Sequence, residues 1–181
     1  RIFATVFAAQ TEEQNFEATS QQFFDREYQA RGLELEFNYE INDNWSLEFA
    51  GAWQKNQDGN GVSNTNLAPN YSWKLGLAYN RDSWSVGLYN LHYSNYHDSI
   101  LFDPNRELVN PAAKGFDWLT LKAGKALTHV TGGARLQLSV ELKNIFDEEV
   151  YQPNDTPVFY PINTLPGREG RSAFISLSFH Y

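Results

Sequence analysis

Apolar residues occupy alternate positions along most of the chain, which is the period of a β-strand with one apolar face. In the clearest stretch, 134–143, aliphatic residues alternate with charged and polar ones. Spacing typical of a helix is nowhere sustained. The pattern predicts about eight strands, at 2–10, 32–41, 45–54, 71–80, 84–93, 117–125, 134–143 and 171–181.

Two of these segments do not reveal which side chains share a face. The strand at 2–10 offers two faces of similar character. In 84–93 the apolar phase changes parity between Leu88 and Tyr89, as a β-bulge would cause. We therefore predict strands in both segments and leave their register open.

Short and long connections alternate along the chain. Those after the second, fourth and sixth strands are short and contain Asn, Asp or Gly, the residues typical of turns. Those after the first, third, fifth and seventh strands are long and polar, at roughly 13–26, 55–69, 95–115 and 147–170. This alternation predicts an antiparallel up-and-down meander with all the long connections at one rim and the C-terminus at the other.

The apolar stripes carry aromatic residues near their ends and aliphatic residues in their middles. A soluble sandwich would also alternate, but strands of about 9–11 residues suit a tilted membrane crossing, whereas globular strands usually have about 5–6. Trp and Tyr at the stripe ends suit the headgroup regions, and in hydrocarbon a sheet satisfies its backbone only by closing. We therefore expect a transmembrane β-barrel. Its lipid-facing residues include Leu75, Leu77, Leu136, Leu138, Val140 and Leu142.

Composition refines this picture without changing it. The mean hydropathy of the 181 residues is −0.54. We interpret this value as the average over positions that face lipid and positions that face water. A net charge of −8, without clusters of Lys and Arg, argues against a nucleic-acid partner. No stretch approaches the roughly 18 consecutive apolar residues of a transmembrane helix. The absence of Cys excludes a disulfide framework.

Signals for catalysis or metal binding are weak. Residues 97–99, with the sequence His-Asp-Ser, contain the residue types of a catalytic triad, but adjacent residues point in different directions and cannot form one by themselves. The four histidines are scattered, without the spacing of metal ligands. We therefore predict that the protein is not an enzyme and holds neither a resident metal nor a cofactor.

The last forty or so residues contain a recognisable order of elements. After the penultimate strand comes an Asn-aliphatic-Phe-Asp element, Asn144 to Asp147, with Tyr151 soon after it. A segment with Gly and Arg then leads into a last strand that ends on an aromatic residue. This order resembles the closing strands of TonB-dependent outer-membrane receptors, and the hairpin at 30–53 is similar to an internal hairpin of that family.

The resemblance implies a barrel of about 22 strands, plugged by an N-terminal globular domain and energised by TonB through a short box ahead of the plug. Residues 1–181 would be the C-terminal segment of that barrel, without the plug and the TonB box. The implied function is uptake of a scarce nutrient, above all an iron–siderophore complex, across the outer membrane of a Gram-negative bacterium. The implied partners are outer-membrane lipid, the remaining barrel and plug, the TonB complex and the outer-membrane assembly machinery.

The resemblance also indicates candidate residues, because extracellular loops and the upper lumen bind ligand in this family. Aromatic and basic side chains suit flat, anionic metal chelates, although each could instead serve in packing or in an aromatic girdle. The candidates are Tyr93, Tyr96, His97, Tyr151, Tyr160 and Arg168. We expect Asn144 and Asp147 to shape a loop through side-chain to backbone bonds. The residues that resemble the signal for the assembly machinery are Ile175, Leu177, Phe179 and Tyr181.

Two alternatives stay open at this stage, and the first is a soluble β-domain or a barrel hydrolase. In the second, eight strands close into a complete small outer-membrane barrel with a structural or adhesive role. Such a barrel requires the strand near Ile2 to pair with the strand near Phe179, whereas a segment of a larger barrel does not.

Overall fold

The computed structural model describes residues 1–17, 21–59, 61, 69–96, 110–128, 135–154 and 164–180. These ranges contain strands and their connections, and none of their residues forms a helix long and apolar enough to cross a membrane. The strands are β1 (Ile2–Glu17), β2 (Gln22–Glu40), β3 (Trp45–Asp58), β4 (Tyr71–Arg81), β5 (Trp84–Tyr93), β6 (Phe116–Thr128), β7 (Arg135–Lys143), β8 (Tyr151–Pro153), β9 (Thr164–Pro166) and β10 (Ser172–His180).

Eight of these strands form one antiparallel sheet in the order β1 to β7 followed by β10, so the predicted all-β meander is confirmed. Its short connections are made by turn-forming polar residues. The Asn42 carboxamide oxygen accepts hydrogen bonds from the backbone N–H of Asn44 and of Trp45, at 3.0 and 3.1 Å. Asp82, between β4 and β5, has a φ of 52°, which Asp tolerates better than most residues.

The prediction of a long loop at 13–26 was wrong, because β1 runs to Glu17 and β2 begins at Gln22. These strand ends are mostly polar and lack a regular apolar alternation, and hydrogen bonds between polar side chains link them across the two strands. One example is the Gln10 amide, which donates to the Glu27 carboxylate at 2.8 Å. The loss of apolar alternation therefore marks the end of the apolar belt, not the end of the strand.

Two other long connections are also shorter than predicted. β3 continues to Asp58, inside the predicted connection 55–69. The predicted connection 147–170 contains β8 and β9, which pair as a separate two-stranded sheet. Strands of three residues are too short to show a period in the sequence, which is why the pattern missed them.

The parity change suggested in β5 does not occur. Its pairing with β4 runs without interruption from Trp84 opposite Arg81 to Tyr93 opposite Ser72. Leu88 and Tyr89 therefore lie on opposite faces, as neighbours in a regular strand do. The second half of β5 carries apolar residues on the inner face because Leu91 and Tyr93 pack there against a buried apolar cluster.

The register joins the apolar stripes into one continuous outer face. Leu77 lies opposite Leu47 on one side and Leu88 on the other, and Leu138 lies opposite Leu177. The same register settles the first strand, in which Ile2, Ala4 and Val6 belong to the outer face. All six residues that the sequence predicts to face lipid lie on it: Leu75, Leu77, Leu136, Leu138, Val140 and Leu142.

Most large apolar side chains of the outer face are exposed. Val6 is 82% and Ile175 is 76% exposed, whereas the buried apolar residues of the described ranges are only Phe116, Trp118 and Val150. An exposed apolar area of this extent is unfavourable in water and suits contact with hydrocarbon. The buried cluster lies on the opposite, inner face.

The sheet is open at both edges. β1 and β10 are the edge strands, and the described residues of these two strands make no contact with each other. The pairing that a complete eight-stranded barrel requires is thus absent from the described part of the chain. This geometry contradicts that alternative and agrees with a segment of a larger sheet.

Candidate functional site

The long connections after β5 and β7 come together over the inner face. Val150, just before β8, packs in the buried cluster with Phe116 and Trp118 of β6. The Thr164 hydroxyl donates to the backbone carbonyl of Pro111 at 2.7 Å, and the Asn110 amide donates to the backbone carbonyl of Thr164 at 2.7 Å. These bonds link the connection that precedes β6 to the β8–β9 pair and hold both against the sheet.

Asn144 anchors the β8–β9 segment to the end of β7. Its side chain is fully buried, accepts a hydrogen bond from the Glu148 backbone N–H at 2.9 Å, and donates to the carbonyls of Glu148 and Glu169 at 3.0 and 3.4 Å. Asp147 accepts from the Arg171 backbone N–H at 2.8 Å. The expectation that these two residues shape the loop is confirmed, and they join its first and last residues.

Arg168 follows directly from this anchored backbone. The N–H of the preceding Gly167 donates to the Val150 carbonyl at 2.9 Å. The guanidinium then lies over two aromatic rings, 5.3 Å from the centroid of Trp118 and 5.7 Å from that of Phe116. No carboxylate in the described part of the chain forms an ion pair with it. Its N–H donors remain available to an anionic group.

A cavity of about 510 Å³ opens beside this guanidinium. A second cation, Lys143, also borders it; its ammonium lies 4.7 Å from the ring centroid of Phe174 and makes no ion pair within the described ranges. The lining residues are Trp118, Thr120, Lys143, Pro166, Gly167, Arg168 and Glu169. Two cations, one acid and an indole face suit a ligand that is both anionic and aromatic.

Tyr93 and Tyr96 pack against the buried apolar cluster that contains Phe116 and Trp118. Tyr93 stacks on Phe116 with ring centroids 5.0 Å apart. Burial raises the pKa of the Tyr96 phenol, the neighbouring Tyr93 raises it further, and Arg168 partly opposes the rise. A tyrosine phenol is protonated at physiological pH, and the raised pKa extends the pH range over which the Tyr96 hydroxyl can donate a hydrogen bond.

We expect Tyr96 to titrate above the ordinary tyrosine pKa of 10.0. Because the folded state holds this proton more tightly than the unfolded state, the stability that it contributes is present below pH 10 and is lost as pH rises toward the folded pKa. Ultraviolet titration of tyrosinate in the full-length protein and in a Tyr96→Phe variant measures this directly. A difference between the two curves centred at or below pH 10 would contradict the assignment.

The structure therefore brings three of the predicted site residues together: Tyr93, Tyr96 and Arg168. Tyr151 lies close by in β8, partly buried and opposite Pro166 of β9. His97 and Tyr160 lie outside the described residues. For all six residues, a role in ligand binding stays a prediction.

Sequence reasoning missed the two residues that complete the cavity, Trp118 and Lys143. The alternation in β6 sets Trp118 in the polar phase with Thr120, which is an unusual position for a large aromatic residue. A large aromatic residue among the polar positions of a strand could have indicated the cavity from the sequence. Tyr89 carries the same signal.

Tyr89 is the centre of a second group on the inner face. The ammonium groups of Lys74 and Lys122 lie 5.5 and 5.9 Å from its ring centroid. Each ammonium also pairs with a carboxylate, Lys74 with Glu48 at 2.7 Å and Lys122 with Glu141 at 3.1 Å. A cavity of about 430 Å³ lies along this group and shares Trp118 and Thr120 with the first cavity. Because its charges are internally balanced, this group forms a polar wall and not an anion site.

The residues predicted as an assembly signal lie on β10. Ile175, Leu177 and Phe179 share its outer face and are 76%, 59% and 51% exposed. Tyr181 lies outside the described residues. Their role in assembly stays a prediction.

No group of three His, Cys, Asp or Glu side chains that could hold a metal ion occurs in the described ranges.

No family model and no curated protein matches the sequence. Solved structures do match, and two receptors and a transporter are among them. FpvA of P. aeruginosa, bound to a heterologous pyoverdine with iron, has a TM-score of 0.74 at 15% identity, over 98% of this chain and 24% of that chain. The ferric-catecholate import receptor Fiu from E. coli K12 has a TM-score of 0.68 at 22% identity, over 97% and 24%. The copper transporter OprC has a TM-score of 0.69 at 15% identity, over 99% and 29%.

The fold is thus that of part of an outer-membrane β-barrel. The matched structures are TonB-dependent receptors, so the resemblance predicted from the closing strands is confirmed at the level of the fold. The chain spans about a quarter of the length of the structures that it matches.

Proposed function

We propose that the chain is the C-terminal segment of the barrel of a TonB-dependent receptor, which takes up a nutrient across the outer membrane of a Gram-negative bacterium. The order of the closing elements, the exposed apolar outer face and the open sheet edges support this proposal. The rim that carries the long connections is then extracellular, and the inner face lines the lumen. The plug and the TonB contact belong to the N-terminal part of such a receptor.

We further propose that the ligand is an anionic, aromatic metal chelate, with an iron–siderophore complex first. The observation that carries this proposal is the 510 Å³ cavity with two cations, Arg168 and Lys143, that lack a carboxylate partner in the described ranges. FpvA and Fiu are described with ferric pyoverdine and ferric catecholates, respectively. Although OprC is a copper transporter, this chain has no Cys and no Met and so offers no soft sulfur ligand to a bare copper ion.

In this arrangement the side chains bind and orient the ligand without any covalent step. The Trp118 and Phe116 rings hold the Arg168 guanidinium in place, so little side-chain entropy is lost when a ligand binds. Charge-assisted hydrogen bonds from Arg168 and the charge of Lys143 then favour an anion over a neutral compound. Beyond this cavity, the ion-paired residues around Tyr89 continue the polar inner surface.

Replacing Arg168 by Gln is expected to lower the affinity of the full-length receptor for its ferric chelate by about tenfold to a hundredfold, because a hydrogen bond to a charged group is lost. Growth under iron limitation with a panel of ferric siderophores and haem first identifies the ligand. Quenching of intrinsic fluorescence in the purified receptor then gives its affinity.

Arg171→Gln serves as the matched control. Arg171 belongs to the same segment and lies 3.9 Å from the Asp147 carboxylate, but it does not line the cavity. We expect its substitution to change affinity by less than about twofold. If both substitutions have equal effects, or if no ferric chelate rescues growth, the proposed ligand class is wrong.

A further inference from the structure

A pair of cations occupies the outer face of the sheet just beyond the apolar belt. Arg31 of β2 lies directly opposite Lys55 of β3. The next pair toward the membrane is Leu33 and Trp53, and the next pair toward the long-connection rim is Gln29 and Gln57. The outer face therefore changes from apolar to cationic to amide along these two strands.

This pair is unexpected for folding alone. Like charges directly opposite each other on adjacent strands are destabilising. No carboxylate in the described ranges forms an ion pair with Arg31 or Lys55. The Glu27 carboxylate, four residues from Arg31 along β2, is about 13 Å away by strand rise. It already accepts hydrogen bonds from the Gln10 and Gln29 amides, at 2.8 and 3.1 Å.

Space for an anion is present beside the two cations. A cavity of about 350 Å³ lies on this surface, and small side chains border it on the β1 side, where Ala8 faces Arg31. The side chains of Gln29 and Gln57 border the cavity on the side of the long-connection rim. The lining residues are Ala8, Ala9, Gln10, Gln29, Ala30, Arg31, Lys55 and Gln57.

We propose that Arg31 and Lys55 bind the phosphoryl group of a lipid headgroup in the outer leaflet. The pair lies two residues, about 7 Å along the strand, beyond Trp53 and Leu33. Trp marks the boundary between hydrocarbon and headgroups, so this is the depth of lipid phosphates. A phosphoryl group neutralises both cations and accepts from the guanidinium fork. The inference rests on the membrane placement of the proposed function but not on its nutrient ligand.

The test uses the full-length receptor purified in a non-ionic detergent and titrated with diphosphoryl lipid A, with the same lipid after removal of its phosphates, and with inorganic phosphate. The double variant Arg31→Gln/Lys55→Gln is expected to bind diphosphoryl lipid A about thirtyfold more weakly than the unchanged protein. Arg81→Gln is the matched control. Arg81 is also an outer-face cation, but it lies at the end of β4 beside a short connection, at the rim opposite to that of Arg31 and Lys55. It should change the affinity by less than about twofold.

Equal affinities of the double variant and the unchanged receptor for diphosphoryl lipid A would overturn the inference. Loss of inorganic-phosphate binding with unchanged lipid binding would overturn the assignment to a lipid. Failure of the unchanged receptor to fractionate with outer membranes would instead overturn the proposed function. Membrane insertion and growth on the ferric chelate, measured for both variants, keep these outcomes distinct.

Discussion

Replacing Leu77 by Arg is expected to destabilise the full-length receptor in a lipid bilayer by about 2–4 kcal/mol. Leu77 lies in the middle of the outer stripe of β4, between Leu75 and Tyr79, and its cross-strand neighbours are Leu47 and Leu88. An arginine there has only hydrocarbon and apolar side chains around it. The free energy of unfolding in urea, measured on receptor folded into vesicles, tests this expectation.

The matched control for this substitution is Gln137→Arg. Gln137 is exposed on the inner face of β7, where its neighbours across the ladder are Ala126 and Ser178. In a water-filled lumen the same arginine should change stability by less than about 0.5 kcal/mol. Equal costs at Leu77 and Gln137 would show that the two faces do not differ in environment, and the lipid-facing assignment would then fail.

Replacing Asn144 by Ala is expected to destabilise the receptor by about 2–4 kcal/mol and to weaken ligand binding at the same time. The substitution removes the buried Asn144 carboxamide and leaves the backbone N–H and carbonyl of Glu148 and the carbonyl of Glu169 without their side-chain partner. It also puts Ala at a φ of 50°, a conformation that Asn tolerates better. Because Arg168 directly precedes Glu169, a loosened backbone there displaces the guanidinium.

An Asn144→Gly variant separates the two causes. Glycine adopts a positive φ without strain, so it should recover about 1 kcal/mol of the loss at Asn144 while the hydrogen bonds stay missing. Urea unfolding gives the stability of each variant, and fluorescence quenching gives its affinity for the ferric chelate. A glycine variant with unchanged stability and affinity would show that the Asn144 side chain does not position the β8–β9 segment.

Much of the sheet was predictable because a lipid-facing strand must alternate. In β4 and β7 each large apolar residue lies on the outer face and the next residue lies on the inner face, so the sequence itself shows which residues share a face. The ends of β1 and β2 were not predictable in this way. Beyond the apolar belt the backbone pairing continues to Glu17 and Gln22, but the side chains there no longer alternate regularly between apolar and polar.

The candidate site was predictable only in part. Tyr93, Tyr96 and Arg168 were suggested by residue type and by their place in long connections. Their meeting on the rings of Phe116 and Trp118 depends on how the segment after β7 folds back over the inner face. Contacts between residues about fifty positions apart leave no trace in local spacing.

By itself, the sequence determined the all-β class, the antiparallel meander, most of the outer face and the resemblance at the chain's end. These features depend on alternation and on residue order, which are local. Only the tertiary structure decided the phase of β1, the unbroken register of β5, the open edges, the cavity beside Arg168 and the opposition of Arg31 and Lys55. Each of these depends on which residues lie across from one another, and pairing between strands is set by the whole ladder of backbone bonds.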